Sequence, residues 1–264
     1  MDPFFYGDID KSLFGIHHQP TSTEFQDSSI VICNPIGFEY GRSHSVIRDL
    51  AKKLSDKGYH VLRFDYFATG DSSGHSDELS FEQCLNDIAV SCDEIKTMSA
   101  TRKVNVIGYR YGALLAAYAS KSIKFNRLIM WDTVVDGEIY LSDLKEIHNK
   151  MLIDSNRFDL RFQSSAESTS ELVGHHFPPA FRQDIISNTL VNLDKIKTKK
   201  IDVFNYVDCY DVKSLVDGEN FLTKANIHDF NSQSEWKNVN KIESKILSDP
   251  SVDKIIEVVG NNNG

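Results

Sequence analysis

The chain has 264 residues, of which 41% are hydrophobic and 25% are charged, and its formal net charge is −9. This composition is typical of a globular protein, and the acidic balance without a basic stripe argues against a nucleic-acid partner, whose phosphates require clustered Lys and Arg. The four cysteines stand far apart without a C-x-x-C pair, so neither a zinc site nor a disulfide framework is expected.

Short apolar runs alternate with helical patterns in the first half of the chain. Strands are predicted at residues 29–33, 59–64, 103–107 and 127–131. Between them, apolar side chains recur at helical spacing, and we expect helices over residues 46–57, 81–98 and 113–119. Strands that are separated by helices imply βαβ crossovers, so the pattern predicts an α/β fold with a mostly parallel sheet and helices on both faces.

The second half begins with a polar, Ser-rich and Pro-containing stretch at residues 136–196, which we interpret as an inserted helical cap. A strand is then predicted at 200–207, a last edge strand at 219–227 and a closing helix at 241–259. The whole of residues 1–264 is expected to form a single domain.

The amino-terminal ten residues carry acidic side chains where a signal peptide needs positive charge. No apolar run reaches the roughly 18 residues that a membrane span requires. We therefore expect a cytoplasmic protein without a membrane span.

The most informative motif is G-Y-R-Y-G at residues 108–112, between a predicted strand and a predicted helix. This is the context of the G-x-S-x-G nucleophile elbow, in which a sharp turn lifts the central side chain above the sheet. Here the central residue is Arg110, which stays protonated and cannot act as a nucleophile. Two interpretations follow: Arg110 binds an anion beside the helix N-terminus, or it is a structural residue paired with a buried carboxylate. Glu39 is the residue that we expect to pair with it.

Several segments resemble the α/β-hydrolases of the serine aminopeptidase-like type, and among them a bacterial branch called exosortase A system-associated hydrolase type 2. Residues 34–44 (N-P-I-G-F-E-Y-G-R-S-H) are similar to that branch's P-P-F-x-E-E-x-N-x-S-R. Residues 64–74 (F-D-Y-F-A-T-G-D-S-S-G) resemble the wider D-x-x-G-x-G-x-S-x-G, and 108–116 resemble G-L-R-L-G-A-L-L-A, in which arginine already replaces serine. Residues 131–141 and 171–181 resemble two further motifs of the branch.

The resemblance implies an α/β-hydrolase fold with an acid after the strand that follows the cap and a histidine after the last strand. Asp208 and Asp211 follow the strand that ends near residue 207, and His228 follows residue 227. We lean to Asp208 over Asp211, because the first acidic residue past a strand end points over the sheet rim where ligands bind. Either Asp can equally be a solvated loop residue, and His228 is expected to be an active-site base or a ligand-binding residue.

An oxyanion hole in this fold uses backbone N–H groups, and these remain when a side chain is replaced. The expected donors are Tyr111, which follows the elbow position, and Ile36 or Gly37 in the turn after the first predicted strand. Cys33 ends that strand and is expected to be an inert core thiol. Neither a metal site nor a cofactor is expected, because the adjacent histidine pairs lack any metal-ligand spacing and no phosphate-loop or dinucleotide motif is present.

The sequence leaves three functions open. One is acyl ester or thioester hydrolysis, or acyl transfer, on a small acyl or anionic substrate that is free or bound to a carrier. The resemblance implies that this reaction belongs to bacterial exopolysaccharide or natural-product biosynthesis. A second is an inactive pseudohydrolase that binds an anionic ligand or docks a biosynthetic partner enzyme. The third is a lyase or cyclase that uses acid and base residues alone.

Overall fold

The computed structural model describes residues 1–153, 170–193, 195–206, 212, 225–231 and 235–261. Its strands are β1 (Asp2–Asp8), β2 (Lys11–His18), β3 (Ser28–Cys33), β4 (Val61–Phe64), β5 (Lys103–Tyr109), β6 (Arg127–Trp131), β7 (Glu171–Leu172), β8 (His175–His176), β9 (Ile201–Tyr206) and β10 (Asn226–Phe230). Its helices are α1 (Phe38–Asp56), α2 (Phe81–Ser99), α3 (Tyr111–Ala119), α4 (Gly137–Leu152), α5 (Pro179–Ser187) and α6 (Ser251–Gly260).

Eight strands form one sheet in the order β1-β2-β4-β3-β5-β6-β9-β10. All neighbours from β4 to β10 run parallel, whereas β2 is antiparallel to β4 and β1 is antiparallel to β2. The mostly parallel sheet expected from the alternation of strands and helices is confirmed.

Apolar side chains cover both faces of the sheet, as parallel sheets require. One core packs α2 and α3 against one face, through side chains such as Val31, Val106 and Met130. The other core packs α1 and α6 against the opposite face, through Ile32, Ile107 and others. Successive residues of β3 and β5 therefore point into different cores, which explains why these strands are continuous apolar runs.

The amino-terminal hairpin β1–β2 was not predicted from the sequence. Pro3 and Gly7 lie within β1. Because both residue types are uncommon in strands, the sequence pattern of a strand is weak here. β1 lies at the edge of the sheet, where Pro3 is tolerated because one side of the strand needs no ladder hydrogen bond.

Two predicted boundaries near the carboxyl terminus are wrong. The last strand continues past residue 227 to Phe230, and the closing helix begins at Ser251 rather than at residue 241. Pro250 is the N-cap of α6, and the residue before a proline is disfavoured in a helix, so the helix cannot extend back through Asp249.

Between β6 and β9, in the segment predicted to be a cap, the structure contains α4, the short hairpin β7–β8 and α5. We expected only helices in this segment, so the hairpin is a difference from the prediction. None of the helices in the described ranges is long and apolar enough to cross a membrane.

Candidate functional site

Arg110 occupies the turn between β5 and α3, with φ 54° and ψ −124°, a conformation that L residues rarely adopt. The glycines on either side make this turn possible. A Cβ on Gly108 would lie 2.4 Å from Ala113 Cα, and one on Gly112 would lie 2.4 Å from the Asn34 carbonyl oxygen. The sharp strand-to-helix turn predicted from G-Y-R-Y-G is therefore present.

The Arg110 side chain is buried and pairs with a buried carboxylate. Its Nε and Nη2 donate to the same Glu39 oxygen, Oε1, at 3.0 and 2.9 Å. The side chains of Arg110 and Glu39 are 4% and 1% exposed. The ion pair expected between Arg110 and Glu39 is thus formed, and it links the elbow to the first turn of α1.

A second carboxylate lies on the other side of the guanidinium. Arg110 Nη1 donates to the main-chain oxygen of Asp132 at 3.3 Å and lies 3.6 Å from Asp132 Oδ1. Asp132 directly follows β6 and has φ 45°, in the left-handed region that Asp tolerates better than most residues. Two carboxylates therefore face one guanidinium.

The ring of Trp236 lies over the guanidinium, with Arg110 Cζ 5.1 Å from the ring centroid. Its Nε1 donates to Asp132 Oδ2 at 2.7 Å, which fixes the orientation of both side chains. Arg42 Cζ lies 5.3 Å from the same ring. We call Arg110, Glu39, Asp132, Trp236 and Tyr140 the elbow cluster, since the Tyr140 hydroxyl donates to Glu39 Oε2 at 3.3 Å.

Burial raises the pKa of Glu39, and its contacts with Arg110 oppose that shift. A buried carboxylate stays charged when it is paired and hydrogen-bonded, and Glu39 accepts hydrogen bonds from both Arg110 and Tyr140. The guanidinium charge is compensated inside the protein, so Arg110 does not present an open cation to a cavity. Of the two interpretations of Arg110, the geometry favours the structural ion pair.

The predicted oxyanion donors lie at the same edge of the sheet as the elbow. Gly37 is the N-cap of α1, with φ 67°, and Tyr111 is the first residue of α3. Since Cys33 and Gly108 are register partners in the parallel pair β3–β5, the turns that follow these strands are neighbours. Ile36 is buried in the first of these turns. An oxyanion hole formed by the N–H of Tyr111 and the N–H of Ile36 or Gly37 stays a prediction.

His228 does not join this site. It lies inside β10, where it pairs in register with Phe204 and its ring stacks on the Phe204 ring with centroids 4.7 Å apart. Its Nε2 is 3.0 Å from Asp202 Oδ1, near the amino end of β9, whereas Arg110 follows the carboxyl end of β5. The prediction that His228 follows the last strand was wrong, because that strand continues through it.

His228 instead belongs to an ion-pair group at the opposite end of the strands. Arg127 Nη1 donates to Asp202 Oδ2 at 2.6 Å, and Asn226 Nδ2 donates to Asp202 Oδ1 at 3.2 Å. The buried Asp202 carboxylate is thus satisfied by three side chains, an arrangement that holds β6, β9 and β10 together. Asp208 and Asp211, the expected acids, lie outside the described residues.

The sequence interpretation missed Asp132 and Trp236. The rule that favoured Asp208, that an acidic residue just past a strand points over the sheet rim, also applies to Asp132 and could have found it. Trp236 has no comparable signal. It lies in a short 3₁₀ turn, Glu235–Lys237, far along the chain from the elbow, and only the fold brings it there.

The other residues considered in the sequence, a cysteine and two adjacent histidines, are buried in the protein. Cys33 is fully buried, and burial raises the pKa of its thiol, in agreement with the inert thiol that was predicted. His17 and His18 lie in β2, where His17 Nε2 is 3.0 Å from His60 Nδ1 and His18 Nε2 accepts from Arg63 Nε at 3.1 Å. The described residues include no group of three or more His, Cys, Asp or Glu side chains suited to a metal ion.

Comparison with solved structures identifies the fold. An esterase from Pyrococcus furiosus is 16% identical, with a TM-score of 0.64 over 100% of this chain and 91% of that one. Est1E from Butyrivibrio proteoclasticus, solved with ferulic acid bound, is 14% identical, with a TM-score of 0.63 over 97% and 96% of the two chains. An alpha-beta serine hydrolase homologue from Coxiella burnetii is 13% identical, with a TM-score of 0.56 over 92% and 93%.

At these identities the likeness shows the fold alone, and it confirms the α/β-hydrolase fold expected from the sequence. No family model matches the chain, and no curated protein matches its sequence.

Proposed function

We propose that this protein is a pseudohydrolase, a ligand-binding module with the α/β-hydrolase fold that does not hydrolyse esters through a covalent intermediate. The observation that supports it is the elbow cluster. The position that carries the attacking hydroxyl in this fold holds an arginine whose charge is compensated by Glu39 and Asp132 and covered by Trp236.

Covalent acyl transfer needs a nucleophile with a base within hydrogen-bond reach, about 2.6–3.2 Å. A guanidinium can act neither as the nucleophile nor as the base, because it stays protonated and carries hydrogen-bond donors without an acceptor. The expected base, His228, hydrogen-bonds to Asp202 at the other end of the strands. The route in which His228 activates water beside Arg110 therefore has no support from the geometry.

The pseudohydrolase interpretation differs in one respect from the anion-binding module expected from the sequence. Two carboxylates already compensate Arg110, so a third anion at the elbow would have to displace one of them from a buried hydrogen-bonded position. The proposal therefore assigns no anion receptor role to Arg110. A role in exopolysaccharide or natural-product biosynthesis, a partner enzyme and a cytoplasmic location stay predictions from the sequence.

The proposal is tested by incubating the purified protein with p-nitrophenyl acetate, p-nitrophenyl butyrate and a short-chain acyl thioester. We expect release of p-nitrophenol and thiol at the rate seen with heat-denatured protein, and no labelling by a fluorophosphonate probe. A serine esterase run in parallel shows that the assays detect turnover.

The His228→Ala variant distinguishes the competing hypothesis. Saturable turnover by the wild type that disappears in His228→Ala would contradict the pseudohydrolase proposal and support hydrolysis. Equal background rates in both proteins agree with the proposal, because His228 then contributes nothing to the rate of hydrolysis.

A further inference from the structure

A cleft of about 440 Å³ opens beside the elbow, between the turn before α1, the loop between β4 and α2, and the hairpin β7–β8. Its volume falls within the range of about 300–1,000 Å³ that is usual for small-molecule sites. The lining residues are Ile36, Gly37, Tyr40, Ala68, Thr69, Gly70, Ser72, Gly74, His75, Ser76, Leu79, His175 and His176. None of them belongs to the elbow cluster.

Aromatic contacts lead from the wall of this cleft to the residue after Arg110. A Cβ on Gly37 would lie 3.0 Å from Phe177 Cζ, so the hairpin end packs closely against the turn before α1. Phe177 stacks on Phe181, with ring centroids 6.2 Å apart, and Phe181 and Tyr111 make an edge contact at 5.9 Å. Neither these three rings nor Arg110 lines the cleft, so the inference does not depend on the Arg110 side chain.

The cleft has an apolar floor and an imidazole-rich rim. Ile36, Ala68 and Leu79 are buried at its base, whereas His75 and His175 are exposed. Partial desolvation lowers the pKa of His175, so its imidazole is neutral at neutral pH. Neutral imidazole both donates and accepts hydrogen bonds.

Most hydroxyls around the cleft are already engaged within the protein. The Tyr40 hydroxyl donates to Asp65 Oδ1 at 2.6 Å, and the Thr69 hydroxyl donates to the Tyr66 carbonyl oxygen at 2.7 Å. The Ser72 hydroxyl donates to the Asp65 carbonyl oxygen at 2.6 Å and accepts from the Phe14 N–H at 2.8 Å. Among the lining side chains that the structure describes, the imidazoles of the hairpin and the Ser76 hydroxyl can meet a ligand.

The charge of the lining determines which ligands fit. Among the residues that the structure describes, no Lys, Arg, Asp or Glu lines this cleft. The buried Asp65 carboxylate accepts hydrogen bonds from the Tyr40 hydroxyl at 2.6 Å and from the Asp71 N–H at 3.0 Å, so it is engaged within the protein. A charged ligand would lose hydration here without gaining a partner of opposite charge, which is costly.

We infer that this cleft is a binding site for an uncharged organic ligand that has an apolar part and a hydrogen-bonding group such as a carbonyl or an amide. The apolar part lies on the floor formed by Ile36, Ala68 and Leu79. The polar group meets the hairpin imidazoles, His175 and His176, and the Ser76 hydroxyl at the rim. The inference deepens the proposed function, because it locates the ligand-binding site of the pseudohydrolase.

Three probes with the same phenyl skeleton and different charge test the inference: phenylacetamide, phenylacetate and 2-phenylethylammonium. Binding is measured by isothermal titration calorimetry and ligand-observed NMR at pH 8. We expect saturable binding of phenylacetamide and at least tenfold weaker binding of both charged probes. Equal or tighter binding of a charged probe, or no binding of phenylacetamide, overturns the inference.

A matched pair of variants locates the binding. Ser76→Trp places an indole in the cleft and should weaken phenylacetamide binding at least tenfold, whereas Asp77→Trp, at the adjacent exposed residue outside the lining, should leave it unchanged. His176→Trp provides a second obstruction if Ser76→Trp does not fold. Binding that survives both obstructions would place the ligand elsewhere and refute the inference.

The outcome can be separated from that of the proposed function. Ester turnover together with selective phenylacetamide binding would refute the pseudohydrolase and leave this site in place. Absence of both turnover and phenylacetamide binding would refute the site and leave the elbow assignment in place.

Discussion

Among single residues, Arg110 shows how the side chain at a strand-to-helix turn determines the chemistry of that turn. The same φ of 54° and the same flanking glycines that would lift a nucleophile above the sheet here direct a guanidinium between two carboxylates. Removing one member of a buried ion pair lowers the free energy of unfolding strongly, because the other charge stays buried without a partner. Replacing the whole pair by apolar groups of similar volume is often tolerated.

We therefore expect Glu39→Gln to lower the free energy of unfolding by about 3 kcal/mol, since Arg110 loses a charged partner that is 1% exposed. The triple variant Glu39→Leu/Arg110→Met/Asp132→Asn removes the charges of all three groups and should recover part of that loss, whereas Glu39→Leu/Arg110→Met leaves Asp132 without its cation and should not. Urea unfolding followed by circular dichroism measures both effects.

The exposed pair Lys52–Asp56 on α1 provides the control. Lys52→Ala should leave the unfolding free energy nearly unchanged, because surface ion pairs contribute little. A Glu39→Gln protein that is as stable as the wild type would show that the ion pair is not the structural element described here.

At the scale of the element, glycines decide how closely α3 approaches the sheet. The carbonyl oxygens of Cys33 and Asn34 both lie 2.4 Å from the position that a Cβ of Gly112 would occupy. The first turn of α3 therefore rests directly on the end of β3, and this contact holds the elbow turn against the turn before α1.

Gly112→Ala should destabilise the protein by about 1–3 kcal/mol, the usual cost of overpacking, because the obstructing atoms belong to the backbone and cannot rotate away. Gly41→Ala in α1 is the matched control, since no heavy atom lies within 4 Å of its Cβ position. There, alanine should stabilise the helix by about 0.5–1 kcal/mol relative to glycine. Thermal unfolding of the two variants should shift in opposite directions, and equal shifts would contradict the packing described.

At the scale of the whole molecule, buried titratable groups on different elements give stability a predictable pH dependence. Burial lowers the pKa of His17 and His18 from 6.5 to about 4, and the neighbouring His60 and Arg63 act in the same direction. Burial raises the pKa of Asp87 from 3.8 to about 6, although Gln83 and the Phe67 N–H donate to its carboxylate.

The two histidines bind fewer protons in the folded than in the unfolded state between pH 4 and 6.5, so their contribution to stability rises with pH across that window. Asp87 binds more protons in the folded state between pH 3.8 and 6, so its contribution falls with rising pH. The pKa values of four further histidines are also lowered, and those of two further carboxyl groups are also raised. Among the described residues, six histidines therefore oppose three carboxyl groups; the additional residues are His44, His60, His148, His175, Glu39 and Asp65. Stability should therefore rise from pH 4 to 6.5.

Urea unfolding at several pH values checks this balance. His18→Gln, whose amide oxygen can still accept from Arg63, should flatten the rise, and Asp87→Asn should steepen it. If His18→Gln shows the same slope as the wild type, His18 does not carry the pH dependence.

Local sequence patterns were enough to predict the parallel sheet and the glycine-flanked turn at Arg110, because apolar periodicity and glycine spacing are local properties of a chain. It also indicated the Arg110–Glu39 pair, since buried charges need partners. The positions of His228 and Trp236 were decided by tertiary structure. His228 lies inside β10 because that strand extends past residue 227 along β9, and Trp236 covers Arg110 because the carboxyl-terminal segment packs over the elbow. Such contacts between distant residues depend on how elements pack, for which no local pattern exists.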